Sequence, residues 1–130
     1  MRQKLVFSLA ISILMICFGC KKDSDTPSID LSVNAVGMYS GTWVVVGTGQ
    51  ASGTCSVNKV STTSVNLIIK IGGQISPISP EINLSDGGSN KIILSYTDSE
   101  GTINGTIVNK VLALTLKSGT ITETFTGTKQ

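Results

Sequence analysis

The feature that most constrains the fold is a two-residue alternation of apolar and polar side chains in short segments. In Val65–Ile71 the valine, leucine and two isoleucines occupy every second position, with Asn66 and Lys70 between them. Successive side chains of a β-strand point to opposite faces, so this alternation is typical of a half-buried antiparallel strand. No helical apolar period follows the N-terminal segment, and the chain is therefore predicted to be all-β.

Comparable segments recur along the chain and are separated by clusters of Gly, Asn, Asp and Ser. Pro77 and Pro80 cannot donate to a sheet ladder, so Ile78–Leu84 is predicted to be an edge strand or a loop over one end of the sheet. We place the other strands at about 38–46, 54–60, 65–71, 91–97, 103–107, 112–116 and 120–128.

The strongest core signal is a hairpin within Gly105–Leu116, where alternate positions are apolar on both arms. Asn109-Lys110 is predicted as its two-residue turn. Asn104-Gly105 is a stronger turn dipeptide taken alone, but a turn there would break the alternation on both sides.

Eight short strands joined by tight turns predict a small antiparallel up-and-down β-barrel, because closure removes the exposed edges that invite aggregation. A β-sandwich is the alternative architecture.

The N-terminal segment has the pattern of a secretory signal. Arg2 and Lys4 precede the apolar run Leu5–Phe18, which is shorter than the about 20 residues that span a bilayer as a helix. Gly19 and Cys20 follow this run. An ordinary secretory signal cleaved near Gly19 is one interpretation.

Ile16–Cys20 resembles the bacterial lipobox, although Cys17 and Phe18 depart from the usual residues at their positions. The resemblance implies that Cys20 is acylated after residues 1–19 are removed, which anchors the protein to a membrane. Lys21, Lys22 and Asp23 are similar to the export signal of Bacteroidota surface lipoproteins, which implies a surface-exposed position on the outer membrane. A solvated charged tether is the alternative for these three residues.

The predicted organisation has three parts. Residues 1–19 are the lipoprotein signal peptide, residues 20–36 are the lipidated cysteine and a flexible tether, and residues 37–130 are the barrel domain.

The amino-acid composition excludes several kinds of catalytic, metal-binding and nucleic-acid-binding site. The chain has no His, and Arg2 is its one Arg. Without residues 1–19, eight lysines balance eight acidic residues, and no basic stripe remains for nucleic acid. His-based catalysis and His zinc sites are excluded, so the protein is predicted not to be an enzyme and to use no cofactor or metal. Cys55, in phase with Val57, is predicted to be a small buried side chain.

A second resemblance concerns the domain itself. Gly41-Thr42-Trp43 resembles the Gly-x-Trp of the calycin barrels, although the arginine with which lipocalins cover that tryptophan is absent. The opening Gly37–Thr42 and the final hairpin Gly105–Thr128 are similar to small calycin-like, or lipocalin-like, lipoprotein domains of Bacteroidota. This resemblance implies a barrel and assigns no functional residue.

Glu123 is the acid in phase with apolar neighbours, between Ile121 and Phe125. A buried carboxylate needs a partner, a proton or water, so Glu123 marks either a ligand-accessible part of the barrel or a strand edge where it meets a surface lysine. Tyr39 and Trp43, which share one face of the first strand, are the other candidate ligand-binding residues. Asp98, Glu100 and Asp86 are interpreted as turn residues rather than as catalytic or calcium-binding groups.

Two functions remain. One is an outer-membrane lipoprotein whose barrel binds a small apolar or sugar-like ligand, and the other is a surface interaction or structural module with a filled barrel. The lumen distinguishes them, since large inward side chains would fill a small barrel: Trp43, Leu67, Leu114 and Phe125.

Overall fold

The computed structural model describes residues 28–130. Cys20 and the export-signal residues Lys21, Lys22 and Asp23 therefore lie outside the described range, together with the signal peptide. The described elements are α1 (Leu31–Ala35), β1 (Gly37–Val45), β2 (Gly49–Ser61), β3 (Ser64–Ile71), β4 (Gln74–Ile75), β5 (Ile82–Asp86), β6 (Lys91–Thr97), β7 (Gly101–Val108), β8 (Val111–Ser118) and β9 (Ile121–Lys129).

Eight of the strands close into an antiparallel ring in the order β2-β1-β9-β8-β7-β6-β5-β3, with β2 and β3 paired to complete it. Strand β4 lies outside the ring and pairs with the end of β3. The prediction of an all-β up-and-down barrel is confirmed, and the sandwich alternative is wrong.

The β7–β8 hairpin forms as the apolar alternation predicts. Val108 pairs with Val111, and Asn109 and Lys110 between them have φ angles of 50° and 66°. Positive φ at both central residues is the geometry of a type I′ turn, whose twist matches that of the flanking strands. Asn104 instead lies within β7 opposite Thr115.

Two strand predictions need correction. Strand β2 begins at Gly49, earlier than the expected start near Thr54. Ile82–Asp86 is strand β5 of the ring, so the prediction of an edge strand or loop is wrong for this part. Pro77 and Pro80 precede the first paired residue of β5, and they therefore remove no ladder donor from it.

The junction between β3 and β5, here called the seam, has two residue pairs in its ladder. Ser76 and Ser79 extend the pairing along β3. The backbone N–H of Ser79 donates to the Leu67 carbonyl (2.9 Å), and its Oγ accepts from the Leu67 N–H (2.8 Å). Ser76 makes the same two contacts with Ile69, at 2.7 and 3.0 Å. Each hydroxyl takes the place of a strand carbonyl, so the edge of β3 stays paired beside the prolines.

Helix α1 covers one end of the barrel. Asp30 caps it by accepting from the backbone N–H of Ser32 (3.1 Å), and the buried Tyr39 hydroxyl donates to the Ala35 carbonyl (2.8 Å). The flexible tether predicted for residues 20–36 is therefore wrong for α1. A helix of one turn is too short to show an apolar period. No helix within residues 28–130 has the length and apolar character needed to cross a bilayer.

The two ends of the barrel differ. The helix end carries α1 and the β2–β3, β5–β6 and β7–β8 turns, and the open end carries the β1–β2, β6–β7 and β8–β9 turns. The lumen between them is filled by large side chains. Trp43 and Phe125 stack with ring centroids 4.8 Å apart, and Leu67 and Leu114 are buried beside them.

Candidate binding site at the open end

At the open end, β6, β7, β8 and β9 extend beyond the packed core and line a cavity of about 260 Å³, which we call the mouth of the barrel. Its apolar lining comes from inward-facing positions near the strand ends: Tyr96, Ile103, Leu116 and Ile121. Leu114 on β8 is buried, whereas Leu116, two residues nearer the open end, is half-buried. The core alternation therefore continues into the cavity as an accessible apolar wall.

Glu123 lines the same cavity from β9. It pairs with Leu116 on one side and with Val45 on the other, and its side chain is half-buried. Within residues 28–130 the one ion pair joins Lys59 to Asp30, so no described lysine neutralises Glu123. The carboxylate thus faces the mouth of the barrel without a cationic partner.

Asp98 orders the turn that borders the cavity. Its Oδ2 accepts from the Tyr96 hydroxyl (2.7 Å), and its Oδ1 accepts from the backbone N–H groups of Glu100 and Gly101 (2.8 Å each). These hydrogen bonds, that of Tyr96 first, lower the pKa of Asp98, so the carboxylate is charged at neutral pH. The interpretation of Asp98 as a turn residue is consistent with this geometry, and the turn also positions the Tyr96 ring.

A second depression of about 240 Å³ lies across β1, β2 and β3 and is lined by Trp43, Val45, Ala51 and Ile71. Val45 pairs directly with Glu123, so the two depressions adjoin. Trp43 Nε1 is the one buried side-chain polar atom in the described part of the chain that has no hydrogen-bond partner. A buried donor left unpaired costs about 1–3 kcal/mol, which makes this indole a notable feature of the second depression.

Gly53 on β2 makes room for that indole. A Cβ atom at position 53 would lie 2.6 Å from Trp43 Cδ1 and 2.5 Å from the carbonyl oxygen of Lys70, closer than real Cβ contacts allow. A glycine at position 53 therefore leaves the space that the tryptophan ring occupies.

The structure separates the three candidate ligand-binding residues. Glu123 and Trp43 lie at the open end, whereas Tyr39 is fully buried and holds α1 at the helix end. Burial raises the pKa of Tyr39 to about 12, so its phenol stays neutral. The contacts of Tyr39 are thus those of a structural residue.

Sequence reasoning did not assign Tyr96, Ile103 and Leu116 to a site. Their alternation predicted an inward face, and the register of β6 to β9 places them in one cross-strand row that ends at Glu123. Within the same described range, no three His, Cys, Asp or Glu side chains lie close enough together to hold a metal ion.

Comparison with known proteins gives one structural likeness of note. No protein-family model and no curated protein matches the chain. A crystal structure from Bacteroides fragilis, described as a "putative outer membrane protein", superposes with a TM-score of 0.57 and 18% sequence identity, over 78% of this chain and 53% of that one. This chain spans about half the length of that protein, and the likeness is one of fold.

Proposed function

We propose that this protein is a lipid-anchored outer-membrane lipoprotein whose barrel binds a small ligand at its open mouth rather than in its lumen. The observation that carries the proposal is the cavity of about 260 Å³ whose apolar wall ends at the unpaired carboxylate of Glu123. The filled lumen supports the mouth as the place for a ligand, since the stacked and buried rings of Trp43 and Phe125 fill the barrel below the open end.

The anchor and the location rest on the N-terminal sequence. The signal peptide pattern and the lipobox-like Ile16–Cys20 support acylation of Cys20, and Lys21, Lys22 and Asp23 support export to the cell surface. The fold likeness to the Bacteroides fragilis structure supports the outer membrane as the location. Three acyl chains would hold the protein firmly, because one chain alone binds a membrane reversibly.

The chemistry of the mouth favours a compact apolar molecule that carries a positive charge. Tyr96, Ile103 and Leu116 offer apolar area, while Glu123, Asp98 and Glu100 place three carboxylates against the one ammonium group of Lys117. An alkyl or aromatic amine would bury its apolar part on the wall and place its ammonium group near Glu123. We infer binding without catalysis and without a cofactor, and no nucleic acid partner.

A second function is favoured by the rim of the open end. Val46, Ile75 and Ile121 are 62%, 66% and 55% exposed there. Exposed apolar side chains grouped around one opening are typical of a protein interaction surface. In this alternative the mouth is covered by a partner protein and holds no small molecule.

Titration of the unacylated mature chain with hexylammonium, followed by methyl NMR, tests the first function. We expect shifts of the Ile103 and Leu116 methyl groups with hexylammonium and weaker ones with hexanoate at the same concentration. Glu123→Gln should weaken hexylammonium binding about 3- to 5-fold, since a solvent-exposed ion pair contributes up to about 1 kcal/mol. Trp43, the one tryptophan of the chain, gives an independent fluorescence signal beside the site.

Glu81→Gln is the matched control, because Glu81 accepts from the Ser64 hydroxyl and does not line the mouth. This variant should bind hexylammonium as the parent chain does. Equal binding of hexanoate and hexylammonium would remove Glu123 from the site. No methyl shift with either compound would contradict the small-ligand function and favour the interaction module.

A further inference from the structure

A groove at the helix end has a volume of about 780 Å³. Its walls are α1, the β5–β6 turn, the β7–β8 turn and the end of β9. None of the mouth residues lines it, so this groove is separate from the site at the open end.

Three lysines from three successive hairpin ends line the groove. Lys91 begins β6, Lys110 is in the β7–β8 turn, and Lys129 ends β9. The backbone N–H of Lys129 donates to the Lys110 carbonyl (2.8 Å), and Lys129 Nζ donates to the Asn34 carbonyl of α1 (3.3 Å). Backbone pairing therefore holds these lysines together at one rim of the barrel.

The groove carries net positive charge. Lys59 and Asp30 form the one ion pair found between residues 28 and 130, so none of the three groove lysines is neutralised by a described carboxylate. Asp86 is the acid in the lining, and its Oδ1 accepts from the backbone N–H of Gly88 (2.8 Å). A phosphate group is a suitable counter-ion for such a lysine cluster.

Apolar side chains accompany the lysines. Leu31, Ile92 and Ile107 line the groove, and Ile92 and Ile107 also belong to the core. Ile29 and Val33 at the same end are 68% and 64% exposed. A surface that combines lysines with exposed apolar side chains fits the boundary between lipid headgroups and acyl chains.

The chain also enters the barrel at this end. Ser28 is the first described residue, and it lies eight positions after Cys20. Eight extended residues span at most about 29 Å, so an anchor at Cys20 keeps the helix end close to the membrane.

We propose that the groove at the helix end binds the phosphate-bearing headgroups of lipids in the membrane that carries the anchor. Each lysine near an anionic surface favours binding by about fivefold, and three together orient the barrel with its helix end on the membrane. The mouth then points away from the membrane. This lipid site rests on the proposed anchor at Cys20 and does not depend on a ligand at the mouth.

Fluorescent labelling of a cysteine introduced in the groove tests the site on the processed, acylated protein. Asn34→Cys places the label on the exposed side of α1 in the groove lining, and Thr48→Cys places it at the open end as a positional control. The protein is reconstituted in vesicles of phosphatidylcholine alone or with phosphatidylglycerol. Co-flotation of the protein with the vesicles is measured first, so that a failure of membrane anchoring is distinguished from a failure of headgroup binding in the groove.

Phosphatidylglycerol should reduce iodide quenching of the label at position 34 by about twofold or more, with no change at position 48. Lys91→Gln with Lys110→Gln should abolish this protection. Lys70→Gln with Lys117→Gln makes the same change in charge outside the groove and should leave it intact.

Equal quenching in the two kinds of vesicle, or protection that survives Lys91→Gln with Lys110→Gln, would overturn the proposal. Inorganic phosphate is added in a separate arm without phosphatidylglycerol. Protection by phosphate alone, with no further effect of phosphatidylglycerol, would identify a site for free phosphate and overturn the assignment to lipid.

Discussion

The side chain of Cys55 occupies an inward position of the β2 alternation, where burial makes its thiol unreactive. It is fully buried, pairs with Tyr39 across β1 and β2, and is a free thiol. Burial raises the pKa of Cys55 to about 12, which suppresses the reactive thiolate. The prediction of a small buried side chain is confirmed.

Cys55 should react with a thiol reagent only when the barrel unfolds. We expect labelling at pH 8 to be about 1,000-fold slower or more in the native protein than in urea, because access requires opening of a cooperative fold. Thr48→Cys is the control, since its exposed thiol should react at once with the same reagent. Rapid native labelling at Cys55 itself, located by peptide mass spectrometry in the chain without that substitution, would contradict its burial.

Gly53 and Trp43 illustrate a constraint between residues on neighbouring strands. The indole occupies the space that a side chain at position 53 would need. Neither residue indicates this by itself, because the contact depends on the pairing of β1 with β2 in one register. Trp43 Nε1 has no hydrogen-bond partner among the described residues.

At the scale of elements, α1 depends on contacts outside its own sequence. Five residues are too few for a stable helix in water. Asp30 caps the helix and also pairs with Lys59 on β2 at 2.5 Å, which connects the start of the helix to the barrel. The hydrogen bond from Lys59, followed by that from Ser32, lowers the pKa of Asp30.

This pairing predicts a pH dependence of stability. Because the pKa of Asp30 is lower in the folded than in the unfolded protein, its contribution is present above the ordinary aspartate value of 3.8 and is lost as the pH falls below it. Asp30→Asn should therefore be less stable than the parent chain near neutral pH, and the difference should shrink below about pH 4.

Urea unfolding of the two proteins at several pH values measures this difference. Lys59→Gln removes the partner and should reduce the pH dependence in the same way. A difference between parent and Asp30→Asn that stays constant from neutral pH to about pH 3 would show that the ion pair does not act on stability.

At the scale of the whole molecule, ring closure depends on the seam between β3 and β5. Two residue pairs join these strands, and Ser76 and Ser79 continue the pairing along β3. Ser79→Ala would leave the Leu67 N–H without its acceptor. We expect a loss of about 1–3 kcal/mol in the free energy of unfolding and faster amide exchange at Leu67.

Ser85→Ala is the control for this substitution, because Ser85 is an exposed residue of β5. Its effect should stay within about 0.5 kcal/mol. If the two variants had equal stability, the serine contacts would not be needed to close the ring.

Several features of the whole molecule were determined by the sequence alone. The inward faces, the β7–β8 hairpin and its Asn109-Lys110 turn followed from alternation and turn chemistry, because they depend on residues close together in the chain. Of the candidate site, Glu123 and Trp43 were identified and lie at the same end of the barrel.

Tertiary structure alone decided which side chains meet. It placed β5 in the ring, set Tyr39 at the helix end, and joined Tyr96, Ile103 and Leu116 to Glu123 at the mouth. The groove lysines come together in the same way. The physical reason is that the register between neighbouring strands and the closure of the ring through the β1–β9, β2–β3 and β3–β5 pairs select these contacts, and the local pattern of one strand does not specify its partners.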